Sequence, residues 1–289
     1  MVNKFLYPAG GAETYLFQLG KYWEEQGNEV EYFGMEHPDN KVGNRWNLYT
    51  RSMDFHRKGI FANVTNPFRI VYSREAKKKM GKILECFRPH VIHIHNFNYQ
   101  LTPSVLLAVE AYRKRTGRKV RVVYTAHDSQ LVCPNHYMYR PKGNQVCDAC
   151  LHGSFFQCAQ GRCIHGSFLR SLLGSLEAVY WNWRKVYKNL DVIICPSLFM
   201  KRQLDTNPDF AGKTVRLCNF VEPVKEAEKK KGSYVLYFGR YSEEKGIRTL
   251  LQVCRELPQI PFVFAGGGPL EALTEGIPNV KNMGFLSQE

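Results

Sequence analysis

Apolar runs alternate with amphipathic segments along most of this chain. Short runs rich in β-branched and aromatic residues predict buried strands at 2–6, 29–34, 90–95, 119–126, 191–196, 215–220, 234–239, 262–265 and 280–284. Longer segments with apolar residues every three or four positions predict helices at 12–26, 74–86, 104–116, 168–190, 198–205, 246–257 and 270–275. Strands and helices that alternate in this way build parallel sheets with right-handed crossovers, so the pattern predicts an α/β fold.

A polar segment rich in lysine interrupts the alternation. Residues 222–232 show no hydrophobic periodicity and lie between two strand-like runs, which is typical of an interdomain linker. We therefore expect one domain at 1–221 and a second domain at 233–289.

Composition narrows the class of protein. The chain has 289 residues, 44% of them hydrophobic, which is enough for packed cores and argues against disorder. It contains no apolar run of about 18 residues, as a transmembrane helix would require, and it does not begin like a secretory signal peptide. Nine cysteines without an export signal predict reduced thiols in the cytoplasm. The net charge of +14 favours nucleic acid, anionic lipid or phosphorylated substrates as partners.

The first predicted strand is followed by Gly10 and Gly11, and then by Glu13 in an amphipathic helix. Adjacent glycines let the backbone approach a ligand closely, and a helix N-terminus offers free N–H groups to a phosphate. A tight turn without a ligand explains the same residues. The three-glycine spacing of dinucleotide-binding folds is absent, which counts against a nicotinamide or flavin enzyme.

The predicted strand at 119–126 leads into His127 and Asp128. Ligands of parallel α/β sheets bind at the carboxyl ends of strands, where an imidazole can donate a hydrogen bond to a sugar hydroxyl or a phosphate. Simple capping of the loop is the alternative. His93 and His95 alternate within a buried strand and are expected to be structural, although His95 and Asn96 at its end can border a cleft.

The second domain offers a pair of cations and a glycine run. Its first strand leads into Arg240, and Lys245 follows at the start of a helix. Two cations around one turn can clamp a diphosphate, with Arg as a bidentate fork and Lys as a point charge, whereas solvated surface cations are the alternative. After the next strand, Gly266 and Gly268 again permit close approach of a ligand to the backbone.

These motifs occur in a familiar order. GGAE, TAHD, FGRYSEEKG, FAGGGPL and GFLS together resemble glycosyltransferase family 4 nearly from end to end. The resemblance implies a GT-B architecture, in which two Rossmann-like domains face a cleft. It also implies a retaining, metal-independent hexosyltransferase that uses a nucleotide-diphosphate sugar. The acceptor would be a lipid-linked or cell-surface glycan.

The resemblance also assigns roles to the candidate residues. It implies that Gly10 and Gly11 lie near the donor phosphate and the acceptor, that His127 contacts the transferred sugar, and that Arg240 and Lys245 hold the donor diphosphate. Cations aimed at the leaving diphosphate would stabilise the charge that develops there in the transition state. The remaining candidates are Gly266 and Gly268 near the nucleotide, and Glu13, Asn96 and Asp128 as secondary residues.

One part of the family pattern is missing. Members of the family carry two glutamates late in the second domain, beside the donor sugar and ribose, and this sequence stops at Glu289 before they would appear. We therefore expect an incomplete second domain, and an isolated chain that is weakly active or inactive.

An insert at 133–165 is rich in cysteine. Cys147 and Cys150 form a CxxC pair, and Cys158 and Cys163 form a looser second pair. Thiolates suit a tetrahedral structural zinc, which is one interpretation. A reduced buried cluster and redox-labile disulfides remain open as alternatives. No cofactor is expected to be required for catalysis itself.

Basic clusters occur at 74–82, 113–121 and 180–185, the last of them interleaved with aromatic residues. Such surfaces can bind an anionic membrane or a lipid diphosphate. The alternative interpretation is that they are ordinary helix faces exposed to solvent. We therefore expect a cytoplasmic protein that is peripheral at the inner face of the membrane.

Two other functional classes compete with a transferase. A sugar-nucleotide epimerase can share the GT-B fold and would act on the nucleotide-sugar without an acceptor. A zinc-stabilised nucleic-acid-binding protein would explain the charge and the cysteines. No known nucleic-acid-binding module occurs in the sequence, so we expect no nucleic-acid partner.

Overall fold

The computed structural model describes residues 1–53, 68–143, 145–221 and 232–286. The chain divides into two compact units, Met1–Phe220 and Val221–Glu289, which we name the N-terminal unit and the C-terminal unit. The predicted linker at 222–232 lies, apart from its last residue, outside the described residues. Each unit has a hydrophobic core of its own.

The N-terminal unit is built on a parallel sheet with helices in the crossovers. Its helices are α1 (Gly11–Glu25), α2 (Phe68–Val71), α3 (Arg74–Phe87), α4 (Ser104–Thr116), α5 (Phe156–Gln160), α6 (Phe168–Trp183) and α7 (Leu198–Leu204). Its strands are β1 (Val91–Ile94), β2 (Arg121–Thr125), β3 (Tyr139–Arg140), β4 (Gln145–Val146), β5 (Val192–Cys195) and β6 (Thr214–Arg216). The main sheet has the order β1-β2-β5-β6 and is parallel throughout, as the alternating pattern predicts.

The first residues of the chain pair with two neighbours at once. Val2 bridges both Phe33 and Ile94, and the backbone N–H of Lys4 donates to the carbonyl of Asn96 over 2.7 Å. The strands predicted at 2–6 and 29–34 are therefore present only as single bridges, because the paired stretch is too short to form a ladder. This pairing nevertheless places the start of the chain beside the carboxyl end of β1.

The register of the central strands sets the position of the candidate residues. Ile94 lies opposite Tyr124, and Thr125 lies opposite Ile194, so β1, β2 and β5 end at nearly the same level. His95 follows β1 directly, and His127 follows β2 after a single residue, Ala126. Both histidines therefore leave the sheet at its carboxyl edge, where ligands of such sheets bind.

Helix α6 differs from its predicted extent. The predicted helix at 168–190 is divided into α6 and a 3₁₀ turn at Val186–Asn189, because Lys185 adopts the left-handed backbone conformation with φ 50°. Ser167 caps the start of α6 by accepting a hydrogen bond from the backbone of Arg170. Trp181 on α6 is fully buried and packs into the core of the N-terminal unit.

The cysteine-rich insert folds into short elements that the sequence pattern does not predict. It contains the antiparallel pair β3–β4, a 3₁₀ turn at Leu151–Gly153, and α5. Cys150, Phe155 and Cys158 pack with Ala178 of α6 into a small core. The insert is thus attached to the N-terminal unit through α6.

The C-terminal unit holds β7 (Val235–Arg240), α8 (Ile247–Glu256), β8 (Phe262–Gly267) and β9 (Val280–Asn282). Its strands form a parallel sheet in the order β7-β8-β9. The helix predicted at 270–275 is a 3₁₀ turn, Glu271–Thr274. The core of the unit is formed by Tyr241, Ile247, Leu251, Cys254, Phe262, Phe264 and Ile277.

Candidate functional site

Gly10 and Gly11 form an exposed turn at the start of α1. Gly10 is the residue before the helix, and Gly11 is its first residue. A Cβ atom added at Gly11 would meet nothing within 4 Å, and one at Gly10 would meet only a carboxylate oxygen of Glu13, at 3.6 Å. The packing of the described chain therefore does not require glycine at either position. The turn leaves the free N–H groups of the helix N-terminus open to an anion.

Glu13 belongs to a buried hydrogen-bond network centred on Asn3. The side-chain amide of Asn3 donates to Glu13 over 2.9 Å, and its oxygen accepts from the backbone N–H of Asn96, also over 2.9 Å. Glu13 is only 4% exposed, and burial raises the pKa of its carboxyl. The side-chain oxygen of Asn96 is buried without a hydrogen-bond partner among the described residues. These contacts bring two of the secondary candidates together.

His127 lies in a group of aromatic rings. Its Nε2 atom is 2.9 Å from Nδ1 of His95, and the ring of Tyr15 meets both imidazoles edge-on. Phe220 also packs against Tyr15, with ring centroids 4.9 Å apart. Burial lowers the pKa of His127 to about 4, although the carboxylate of Asp128 acts in the opposite direction. The imidazole is therefore neutral near pH 7 and suits hydrogen bonding to a ligand.

Asp128 points into a second polar group formed with the cysteine-rich insert. One of its carboxylate oxygens lies 3.6 Å from Nδ1 of His136, whose Nε2 is 3.2 Å from the side-chain nitrogen of Asn98. Burial raises the pKa of Asp128, but His136, a backbone hydrogen bond and Lys4 outweigh it, so the pKa lies below its usual value. Asp128 is therefore an ionised carboxylate that holds the start of the insert.

Arg240 and Lys245 flank a turn in the C-terminal unit. Arg240 ends β7, and Lys245 ends a 3₁₀ turn just before α8. Both side chains are exposed, and neither makes an ion pair or hydrogen bond with the described residues. Arg248, in the same segment, instead pairs with Glu243 at 2.8 Å. The two unpaired cations are free to bind an anion.

Gly266 and Gly268 have a different reason to be glycine. Both adopt backbone angles that side chains disfavour, with φ 137° and φ 156°. A Cβ at Gly266 would collide with the backbone oxygen of Gly239 on the neighbouring strand, and one at Gly268 would collide with the backbone of Tyr241. Close packing of β8 against β7 requires glycine at position 266, and close approach of the two segments that follow these strands requires it at position 268, whether or not a ligand binds there.

Three residues that contact the candidate residues of the N-terminal unit were not themselves predicted as site residues. Asn3 links Glu13 to Asn96, Lys4 interacts electrostatically with Asp128 and Glu13, and His95 contacts His127. Burial lowers the pKa of Lys4, and the two carboxylates act to raise it. The only signal in the sequence was the placement of His95 and Asn96 at a strand end. Asn3 and Lys4 carry no such signal.

The four cysteines predicted as zinc ligands lie around one small cavity. Cys147, Cys150, Cys158 and Cys163 line it together with Cys133, and its volume is about 10 Å³. All nine cysteines are free thiols. Within the described residues, no three His, Cys, Asp or Glu side chains are arranged as a metal site. Burial raises the pKa of the Cys150 thiol to about 12, so this thiol is protonated at neutral pH when no metal is bound. The zinc site stays a prediction.

The parts of the chain described by the structure include no helix long and apolar enough to cross a bilayer. The basic clusters are partly paired within the N-terminal unit. Arg113 pairs with Asp191, and Lys79 pairs with Glu75 at 2.9 Å. Both side chains are half-buried and are held by these structural partners.

The family model of Glycosyltransferase Family 4 matches residues 9–224, which is most of the chain. The chain therefore belongs to glycosyltransferase family 4, as the order of its motifs predicts. The match includes the glycine turn, His127 and the cysteine-rich insert. A comparison with curated protein sequences finds no match.

Solved structures agree on the fold. The apo form of the lipopolysaccharide outer core galactosyltransferase WaaB matches with a TM-score of 0.51 and 15% identity, over 99% of this chain and 67% of its own. HepE from Anabaena, in complex with UDP-glucose, matches with a TM-score of 0.56 and 14% identity, over 99% and 68%. The catalytic domain of starch synthase IV from Arabidopsis thaliana, bound to ADP and acarbose, matches with a TM-score of 0.52 and 13% identity, over 100% and 74%. The predicted GT-B fold is confirmed.

Proposed function

We propose that this protein is a retaining glycosyltransferase that moves a hexose from a nucleotide-diphosphate sugar to a glycan or lipid-linked acceptor. Membership of glycosyltransferase family 4 supports the reaction class. The observation that carries the finer proposal is a pair of exposed cations, Arg240 at the end of β7 and Lys245 in the turn after it, which have no partner among the described residues. Relatives of the same fold were solved with UDP-glucose or with ADP, which supports a nucleotide-sugar donor.

The cations have a specific role in this proposal. Breaking the bond between sugar and diphosphate leaves negative charge on the diphosphate, and positive groups fixed beside it stabilise that charge more in the transition state than in the ground state. Arg240 supplies a planar fork for two phosphate oxygens, and Lys245 supplies a compact charge. Because these side chains provide the positive charge, we propose that transfer needs no metal ion. Addition of a chelator is expected to leave the rate unchanged.

The N-terminal unit supplies polar contacts in the proposal. Neutral His127 binds an oxygen of the transferred sugar, and the open turn at Gly10 and Gly11 admits the phosphate or the acceptor. In a retaining transfer, the acceptor attacks the face that the diphosphate leaves, and the leaving phosphate takes the proton of the acceptor. Asp128 and Glu13 support the cluster through the hydrogen bonds described above.

The surface of α6 supports a lipid-linked acceptor. Leu169, Leu176 and Trp183 lie seven residues apart along α6 and are 75%, 46% and 73% exposed, and Arg184 and Lys185 follow. Apolar side chains next to cations suit the surface of an anionic membrane. Sedimentation with anionic vesicles is expected to weaken in Trp183→Ala and to stay unchanged in Trp23→Ala, which alters an exposed tryptophan on α1. Equal binding of both variants would argue against this surface.

Transfer itself is tested by incubating the chain with nucleotide-sugars and a panel of polyprenyl phosphate and glycan acceptors. The proposal predicts a new glycoside with the anomeric configuration of the donor, as read by NMR after long incubation, because the isolated chain is expected to be weakly active at best. Inversion would contradict the retaining mechanism. Conversion of the nucleotide-sugar without an acceptor would indicate an epimerase instead. Arg248→Ala, which removes a paired cation from the same segment, is the matched control for Arg240→Ala.

A further inference from the structure

His95 and His127 hydrogen bond directly to each other. Nδ1 of His95 lies 2.9 Å from Nε2 of His127, and the two rings are nearly parallel, with an angle of 19° between them. Burial lowers the pKa of both imidazoles, that of His127 to about 4. Both rings are therefore neutral near pH 7, and each carries a single N–H group.

One proton lies between these two nitrogen atoms, and there are two ways to place it. If Nδ1 of His95 carries it, His127 accepts at Nε2 and must hold its own proton on Nδ1. If Nε2 of His127 carries it, His95 accepts at Nδ1 and must hold its own proton on Nε2. In the first arrangement, Nδ1 of His127 carries a proton and is a hydrogen-bond donor. In the second arrangement, the same nitrogen carries a lone pair and is an acceptor.

The surroundings of His95 decide between the arrangements. Its Nε2 atom is buried and has no hydrogen-bond partner among the described residues. The second arrangement would bury an N–H group there without an acceptor, whereas the first leaves only a lone pair. Unpaired N–H groups are rarer in protein interiors than unpaired acceptors. The first arrangement is therefore favoured.

The free nitrogen of His127 is then a donor. Its Nδ1 atom makes no hydrogen bond within the described part of the chain. With a proton on Nδ1, His127 donates to a hydroxyl or a phosphate oxygen without carrying a charge. A bare Nδ1 would repel a phosphate oxygen instead.

We propose that His95 is a positioning residue that donates its Nδ1–H to Nε2 of His127 and so fixes His127 as a neutral donor through Nδ1. What His127 donates to rests on the proposed function, whereas the tautomer itself does not. His93 provides the contrast. It stacks on His95 with ring centroids 4.4 Å apart, but its Nε2 bonds with Thr125 over 2.7 Å, so it does not set the tautomer of His127.

The tautomers are measured by NMR on the full chain with ¹⁵N-labelled histidine at pH 7, where long-range couplings show which ring nitrogen carries the proton. His95→Asn and His127→Gln identify the signals. The expected result is that His95 and His127 both carry the proton on Nδ1. A proton on Nε2 of His127 would overturn the proposal, and this readout holds even when no variant is active.

Variants test the cause. His95→Leu removes the N–H group that donates to His127 and is expected to leave His127 in a mixture of tautomers. His93→Leu is expected to leave the spectrum of His127 unchanged. His95→Asn retains an N–H at the position of Nδ1 and is expected to keep the Nδ1 tautomer. In transfer assays, kcat is expected to fall roughly tenfold or more in His95→Leu and to recover in His95→Asn, by analogy with groups that orient other imidazoles.

The outcomes separate this proposal from the proposed function. Correct tautomers in a chain that neither binds a nucleotide-sugar nor transfers sugar would contradict only the function. Active protein whose His127 spectrum does not respond to His95→Leu would contradict only the positioning role. If His95→Leu does not fold, as judged by circular dichroism, the spectra of the wild type and of His95→Asn still decide the tautomer.

Discussion

The backbone oxygen of Gly239 occupies the space that a Cβ atom at Gly266 would need. The two residues face each other in the register of β7 and β8, and Gly266 has φ 137°. Gly266→Ala is therefore expected to lower the free energy of unfolding of the C-terminal unit by roughly 1–3 kcal/mol, through both collision and backbone strain. Chemical denaturation followed by circular dichroism measures the change. Unchanged stability would contradict a packing requirement for glycine at this position.

Gly11 is expected to behave in the opposite way. A Cβ there meets nothing, so Gly11→Ala should leave stability unchanged or raise it by up to about 1 kcal/mol. It should nevertheless weaken binding of the nucleotide-sugar or the acceptor, because the methyl group blocks the approach of a ligand. Gly81→Ala on α3 is the matched control, since a Cβ there also meets nothing. Full binding by Gly11→Ala would favour a simple turn.

The buried carboxyl of Glu177 makes stability depend on pH. Glu177 lies on α6, is 3% exposed, and has one oxygen without a partner among the described residues. Burial raises its pKa from 4.5 to about 8. The folded state therefore keeps a proton that the unfolded state releases, so this residue lowers stability as pH rises from 4.5 to 8, by about 1.4 kcal/mol per pH unit.

Glu177→Gln removes this titration. Its stability relative to the wild type is expected to rise steadily between pH 4.5 and pH 8 in urea unfolding experiments. The exposed substitution Glu24→Gln provides the control and should show no such trend. A difference between Glu177→Gln and the wild type that stays constant with pH would contradict a buried, protonated carboxyl.

The thiols are expected to differ in reactivity. Cys86 and Cys218 are exposed and should alkylate quickly, as measured by mass spectrometry of peptides. Cys150 and Cys158 should react only after unfolding, because burial raises the pKa of both thiols. The zinc interpretation additionally requires bound zinc in metal analysis and faster labelling of the cluster after chelation. Slow labelling without bound zinc and without an effect of chelation would favour the interpretation as a reduced buried cluster.

The sequence predicted those features that depend on local pattern. The strand before His127 and the helix that begins at Gly11 follow from hydrophobic periodicity, and the tendency of ligands to bind at strand ends directed attention to His127 at the carboxyl edge. The family resemblance predicted the GT-B fold. The sequence does not distinguish the roles of Gly11 and Gly266. Only the position of the neighbouring strand in the structure shows that packing requires glycine at Gly266 and not at Gly11.

Contacts between distant residues could not be predicted. Asn3 contacts Asn96 because the start of the chain pairs beside the end of β1, and His95 meets His127 only because β1 and β2 lie side by side in a fixed register. Nothing in the local pattern of Lys4 indicates that it lies near Asp128. Cys133 lines the same cavity as the four predicted zinc ligands, and this proximity likewise depends on how the insert folds.

The central claim is that Arg240 and Lys245 hold the diphosphate of a sugar donor, and calorimetry with a panel of nucleoside diphosphates and nucleotide-sugars tests it most directly. We predict binding that weakens roughly tenfold or more in Arg240→Ala and in Lys245→Ala, since each removes a charge-assisted hydrogen bond. Arg248→Ala should bind like the wild type. Absence of binding by the wild type, or equal binding by all three variants, would contradict the claim.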